Sequence, residues 1–250
     1  MSKLQHKLKT FIFLWLAALF CVGLGAQGKK YPGKEFYPAV YGAFTELYPN
    51  AKYLNIDFYN HSYTLTGVTG GRLANNYSYD LTIQLKDNGE IEASPSNIMS
   101  RIGSASEWTK TTGFLIYNYK KAAEDLISRI LLIANQPDKY EGYEKMAMSD
   151  IGFVFAIAKN LTNLAFKDFA KNYVKDSIFT VRGRVGDVSE FGKEIEGKMY
   201  KYVVTLSSDV GCAYYTNKDD VIRISKTAMV TVRGKAVEVG RSTLFLVEEE

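Results

Sequence analysis

The spacing of apolar residues along this chain changes near residue 175. Over 114–134 the polar positions Lys120, Lys121, Glu124, Asp125, Ser128 and Arg129 fall on one face. Leu115, Ile116, Tyr119, Ala122, Ala123, Leu126, Ile127, Ile130 and Leu131 fall on the other, the 3.6-residue period of an amphipathic helix. The same period predicts a helix over 36–47, closed by Tyr48-Pro49-Asn50, and a long one over 151–174 through Val154, Phe155, Ala158, Leu161, Ala165, Phe169 and Tyr173. A short helix is expected after Asn135-Gln136-Pro137, capped by Asp138 with Glu141. Between the first two helices, alternation predicts strands at 53–59, 63–68, 77–86 and 90–93, joined at Asn60-His61-Ser62, Thr69-Gly70-Gly71 and Asp87-Asn88-Gly89. Beyond residue 175 only alternation remains, with strands at 178–188, 199–207, 211–216, 229–239 and 243–247 and a helical or irregular piece at 217–225. The joint, Val174-Lys175-Asp176-Ser177, holds no proline or glycine, so two closely packed units are expected.

The second unit nearly repeats itself: Thr180-Val181-Arg182-Gly183-Arg184-Val185 returns as Thr231-Val232-Arg233-Gly234-Lys235-Ala236-Val237. Five strands with a non-strand element between the third and fourth resemble an OB-fold. More narrowly, four stretches resemble the bacterial family named for likeness to the tRNA anticodon-binding OB domain. They are 180–185, Tyr202-Val203-Val204-Thr205-Leu206, Val210-Gly211-Cys212-Ala213-Tyr214 and Val230-Thr231-Val232-Arg233-Gly234-Lys235. The chain departs from that family at Ser225-Lys226-Thr227-Ala228, where the family carries a Lys-Gly-Asp-like turn. The resemblance implies a fold and assigns no activity. The fold class expected is therefore α+β, an N-terminal antiparallel meander with amphipathic helices followed by a five-stranded OB-fold-like β-barrel. Gly183 and Gly234 are expected where barrel strands bend and close.

The N-terminus changes the setting. Lys3, Lys7 and Lys9 precede an apolar run over 11–24 that ends in Gly23-Leu24-Gly25-Ala26-Gln27, the layout of a secretory signal peptide at 1–28. The run is short of the roughly 20 residues of a spanning helix, and an uncleaved anchor is the alternative. Phe20 before Cys21 is too bulky for lipoprotein processing. The expected organisation is a leader at 1–28, an α+β unit at 29–175 and the barrel at 176–250, in a periplasmic or secreted protein with no transmembrane segment after cleavage. The chain has 31 Lys+Arg against 27 Asp+Glu, and loss of the three leader lysines leaves 28 against 27. So even a balance argues against nucleic acid as partner. Cys212 remains as a lone thiol in an apolar strand, so no internal disulfide forms and a packed side chain is expected.

Candidate chemistry is sparse. His61 is the only histidine after the leader, no Cys/His pair has zinc spacing, and no Gly-x-Ser-x-Gly or Walker pattern occurs. Gly67 to Arg72 joins two strands and so reads as a hairpin, not a phosphate cradle. Lys121, Asp125 and Arg129 read as a solvated helix face, Asn217-Lys218-Asp219-Asp220 as a helix cap, and 248–250 as a solvated tail. Alternation sends Arg182, Arg184, Arg233 and Lys235 outward on neighbouring strands, and with Lys201 on the second strand they are expected as one basic patch. Tyr200, Val203, Thr205 and Tyr215 would add the conventional OB ligand face, flanked by Lys193, Lys198 and Arg241. Residues 178–250 hold 11 Lys+Arg and 11 Asp+Glu, which weakens any electrostatic hold on phosphate. The expected function is a non-enzymatic binding or assembly protein, without cofactor or metal. It would engage a protein or envelope-polymer partner through the barrel or a tyrosine-rich surface. An oligosaccharide- or oligonucleotide-binding module is the alternative.

Overall fold

A computed structural model describes residues 30–33, 35–72, 75–102, 107–110, 116–208 and 210–249. The expected leader and the first residues of the helix over 114–134 lie outside them. The architecture is α+β, as the hydrophobic pattern implies. An N-terminal antiparallel sheet runs in chain order through β1 (Lys52–Asp57), β2 (Ser62–Arg72), β3 (Asn75–Leu85), β4 (Ile91–Ile102) and the short β5 (Thr109–Lys110). Helices α1 (Tyr37–Leu47), α2 (Ile116–Ala134), α3 (Pro137–Ser149), α4 (Ile151–Ala158) and α5 (Asn163–Phe169) pack with it. Residues 37–44 of α1 are all buried, which is why that helix carries apolar residues on every side.

The β2–β3 hairpin is longer than its turn signals suggest. Thr69, Gly70 and Gly71 pair with Ser78, Tyr77 and Asn76, so the stretch read as a turn is strand. Likewise β4 runs on to Ile102 through Pro95, which pairs only with β3 along a part of the strand that forms the sheet edge, where a missing N–H is tolerated. The helix expected over 151–174 is broken. Asn160 turns its amide back to the carbonyls of Ala156 and Ile56, each at 3.1 Å, and Thr162 restarts the chain as the cap of α5. A π-helical turn, Ala170–Val174, then leads to the second unit. Asp138 does not cap α3; the helix opens on Pro137 after Gln136, with Asp138 in its first turn. Of the helix face read as solvated, Arg129 instead reaches Glu46 at 3.0 Å. Burial works against ionisation of Glu46, but the Tyr143 hydroxyl, Lys139 and Arg129 together hold its carboxyl below the usual range.

The C-terminal strands β6 (Ile178–Ile195), β7 (Lys198–Ser207), β8 (Gly211–Thr216), β9 (Met229–Val239) and β10 (Thr243–Glu248) form a closed ring in the order β10-β8-β7-β6-β9. A 3-10 turn, Asp219–Arg223, stands between β8 and β9. The β8–β10 pair is parallel and the others antiparallel. Val181, Val185, Val204, Leu206, Ala236, Leu244 and Leu246 fill the interior. Cys212 joins them at 3% exposure, and burial pushes its thiol up to about 12, far from thiolate chemistry at neutral pH. The ring and the helices share one continuous core. The connection is stitched to β9 by Asp176 N–H to Ala236 O and Ala236 N–H to Ser177 O, both 2.9 Å.

Thr227, in the stretch that departs from the Lys-Gly-Asp-like turn, has φ +71°, and its N–H donates to Val185 O at 2.8 Å. A β-branched residue is strained in this left-handed region. Thr227→Gly is expected to stabilise the protein by about 0.5–1 kcal/mol, the strain relieved less the extra chain entropy. A urea midpoint that stays put or falls would contradict this account of the turn.

Candidate functional site

The outward-facing cations of the ring fall where alternation puts them, but they do not make one patch. Register across β6 and β9 pairs Thr180 with Arg233, Arg182 with Thr231 and Ile178 with Lys235, so Arg182, Arg184, Arg233 and Lys235 share the outer face of the two strands. Arg233 is held by Glu249 at 2.5 Å. Lys235 lies between Asp176 at 3.2 Å and Glu196 at 2.9 Å, and Glu196 also takes Lys175 at 2.9 Å. Lys201 meets Asp219 at 3.4 Å, and the Tyr202 hydroxyl donates to the same carboxylate at 3.1 Å. Asp219 is thus a partner of β7 and caps no helix; Asn217 also braces β7, accepting from Lys201 N–H at 2.8 Å. Of the stretch read as a tail, Glu248 and Glu249 are held and Glu250 lies outside the described residues. Glu248 ends β10 and accepts from Lys218 at 2.7 Å and the Thr216 hydroxyl at 2.6 Å. Arg182 and Arg184 are exposed and make no ion pair among the described residues.

The expected OB ligand face is reduced. Tyr200 is 4% exposed, because its parity on β7 places it with Val204 and Leu206, not with Lys201, Val203 and Thr205. That parity was readable in the sequence. Val203 and Tyr215 do pair across β7 and β8 on the outer face, and Thr205 is exposed. Phe191, from the long β6–β7 hairpin, packs on the Tyr215 ring at 4.7 Å between centroids. Lys193 and Lys198 lie over Phe191 and Tyr200, at 5.9 and 5.6 Å. Of the tyrosines expected to enrich the surface, Tyr31, Tyr37, Tyr41, Tyr63, Tyr140 and Tyr214 are buried, while Tyr59 is exposed.

Arg241 has a structural task. Its guanidinium reaches from the β9–β10 turn to the helices, donating to Ala158 O at 3.1 Å, Leu161 O at 2.8 Å and Asn163 Oδ1 at 2.8 Å, with its central carbon 5.3 Å from the centre of the Phe166 ring. These carbonyls are those that the break after α4 leaves without helical partners, so one fork satisfies the end of a helix and ties it to the ring. Arg241→Ala is expected to cost about 2 kcal/mol by orphaning them, and Arg241→Lys to restore little, since one ammonium cannot span three acceptors. A thermal melt checks both; an unshifted Arg241→Ala transition would contradict the assignment.

Beside this clamp an open cleft of about 620 Å³ lies between the ring and the helical layer. Lys52 at the start of β1, Lys159 at the end of α4, Arg182 on β6 and Arg241 all line it, with Asp150 the one acidic residue of its lining among the described residues. Asp150 is already engaged, capping α4 through Phe153 N–H at 3.1 Å and accepting the Tyr41 hydroxyl at 2.9 Å. Lys52 and Lys159 are exposed and, like Arg182, form no ion pair among the described residues. Sequence reasoning named Arg182 and Arg241 but not Lys52 and Lys159, which come from distant parts of the chain. Comparison with protein-family models gives no match for this chain, and comparison with the curated proteins gives none.

Proposed function

We propose that the protein is an exported, non-enzymatic binding or assembly protein of a bacterial envelope, engaging a protein or envelope-polymer partner through the ring. The observation that carries this reading is the exposed pair Arg182 and Arg184, which make no ion pair among the described residues, whereas carboxylates of the chain neutralise Arg233, Lys235 and Lys201. A ring whose interior is filled with its own side chains takes a partner on its outside or at its junctions. The oligosaccharide or oligonucleotide alternative has less support. Such ligands stack on exposed rings, and Tyr200 points inward while Phe191 covers Tyr215.

The test is a crosslinked pull-down from native cells with wild type, an Arg182→Ala/Arg184→Ala variant and an Arg233→Ala/Lys235→Ala variant. One specific envelope component should be recovered by wild type and by the second variant and lost with the first. Recovery indifferent to Arg182 and Arg184, or no component in any sample, would sink the reading.

A further inference from the structure

We infer that the junction cleft is a docking site for an acidic peptide segment, with side-chain carboxylates on Lys52, Lys159 and Arg182 and an apolar residue against Ile151 and Val210. This deepens the binding-protein reading and rests on it. Charge complementarity is the first argument. Among the described residues four cations line the cleft against one carboxylate, an excess of positive charge, and the oxygens of that carboxylate already accept from Tyr41 and from the start of α4. Elsewhere on the ring Lys201, Lys218, Lys226, Arg233 and Lys235 each face an acid of the chain itself. A concave site bounded by low-dielectric walls concentrates the field of its cations.

The second argument concerns what the walls offer. The aromatic rings at the cleft are already in use: Tyr53 stacks with Tyr41 at 6.1 Å and meets Phe153 edge-on at 5.1 Å, and Phe155 is 5% exposed. A nucleobase or a sugar would find no free ring face to stack on. What remains accessible is aliphatic, the half-buried Ile151 and Val210, beside flexible cations. That combination suits a chain alternating carboxylate and aliphatic side chains. Single exposed ion pairs are worth under about 1 kcal/mol each, so binding requires several together and weakens with salt.

Fluorescence anisotropy with a short labelled peptide alternating Glu and Leu tests this, against the same peptide with Gln in place of Glu and against a labelled oligothymidylate. The Glu peptide should bind wild-type protein and lose affinity as salt rises. The Lys52→Ala/Lys159→Ala/Arg182→Ala variant should bind it at least about tenfold more weakly, while Arg233→Ala should not differ from wild type. All the substituted side chains are largely exposed, so unchanged thermal melts are expected and exclude unfolding as the cause. Equal binding of the Glu and Gln peptides, undiminished binding by the triple variant, or tighter binding of oligothymidylate would each overturn the assignment. A cellular partner recovered through Arg182 and Arg184 while the Glu peptide fails would overturn the cleft assignment alone. Peptide binding at the cleft with no cellular partner would do the reverse.

Discussion

Phe153→Ala is expected to lower the free energy of unfolding by about 3–5 kcal/mol, the range for deleting a buried phenyl ring. Phe153 is fully buried on α4, with ring centroids 5.2 Å from Tyr41, 5.1 Å from Tyr53, 6.3 Å from Tyr37 and 6.4 Å from Tyr63. It is therefore where α1, α4 and the sheet meet. Two of the surrounding tyrosines are held back from the space by their hydroxyls, Tyr41 by Asp150 at 2.9 Å and Tyr37 by Glu144 at 3.4 Å, so the cavity collapses only in part. A urea titration should show a lower midpoint with the slope unchanged. A loss under about 1 kcal/mol would mean that this aromatic cluster is looser than described.

The second large effect is expected at Gly234, where the repeated Arg-Gly motif crosses the ring. A Cβ built there would collide with the backbone carbonyl of Val247 on β10 and would stand 3.1 Å from Leu246 Cβ and 3.2 Å from the Tyr214 ring. Its counterpart Gly183 would meet Ser207 O at 2.9 Å. These are neighbouring strands, not flexible side-chain ends, so Gly234→Ala must push β10 outward at a cost of about 3 kcal/mol. Gly142, on the exposed side of α3, has nothing within 4 Å of where an added methyl would sit, and Gly142→Ala should stabilise by about 0.5–1 kcal/mol through helix propensity. Opposite signs for the two substitutions, read from denaturation midpoints, are the expected result. A neutral Gly234→Ala would show that β9 and β10 do not approach as closely as the ring requires.

The ring was legible because one face of each strand is buried, so Val181, Val185, Val204 and Leu206 keep a clean period of two. It was least legible where bulges break that period. The register of β6 shifts between Val185 and Asp187 and again between Glu190 and Lys193, which hid the strand beyond Val188 and the arm that carries Phe191 onto Tyr215. The break between α4 and α5 had a signal, Asn160 followed by Thr162, which apolar spacing alone overrode. The cations of the ring could be placed outward from sequence, but their partners could not: Glu196 and Glu249 come from other elements, and pairing with them dissolves the expected patch. Arg241 carried no periodic signal, because its acceptors are carbonyls far earlier in the chain. The cleft was invisible for the same reason, since Lys52, Lys159 and Arg182 meet only once the ring is packed on the helices.

Arg182, without an ion pair among the described residues, belongs both to the exposed pair on the ring and to the cleft with Lys52 and Lys159. The most direct measurement is an amide chemical-shift titration of isotope-labelled protein with the peptide alternating Glu and Leu. The account predicts the largest shifts at the backbone of Tyr53, Gly152, Arg182 and Val210, around the cleft, and small ones on β7 and β8. Largest shifts at Val203, Thr205 and Tyr215, or none anywhere, would contradict it.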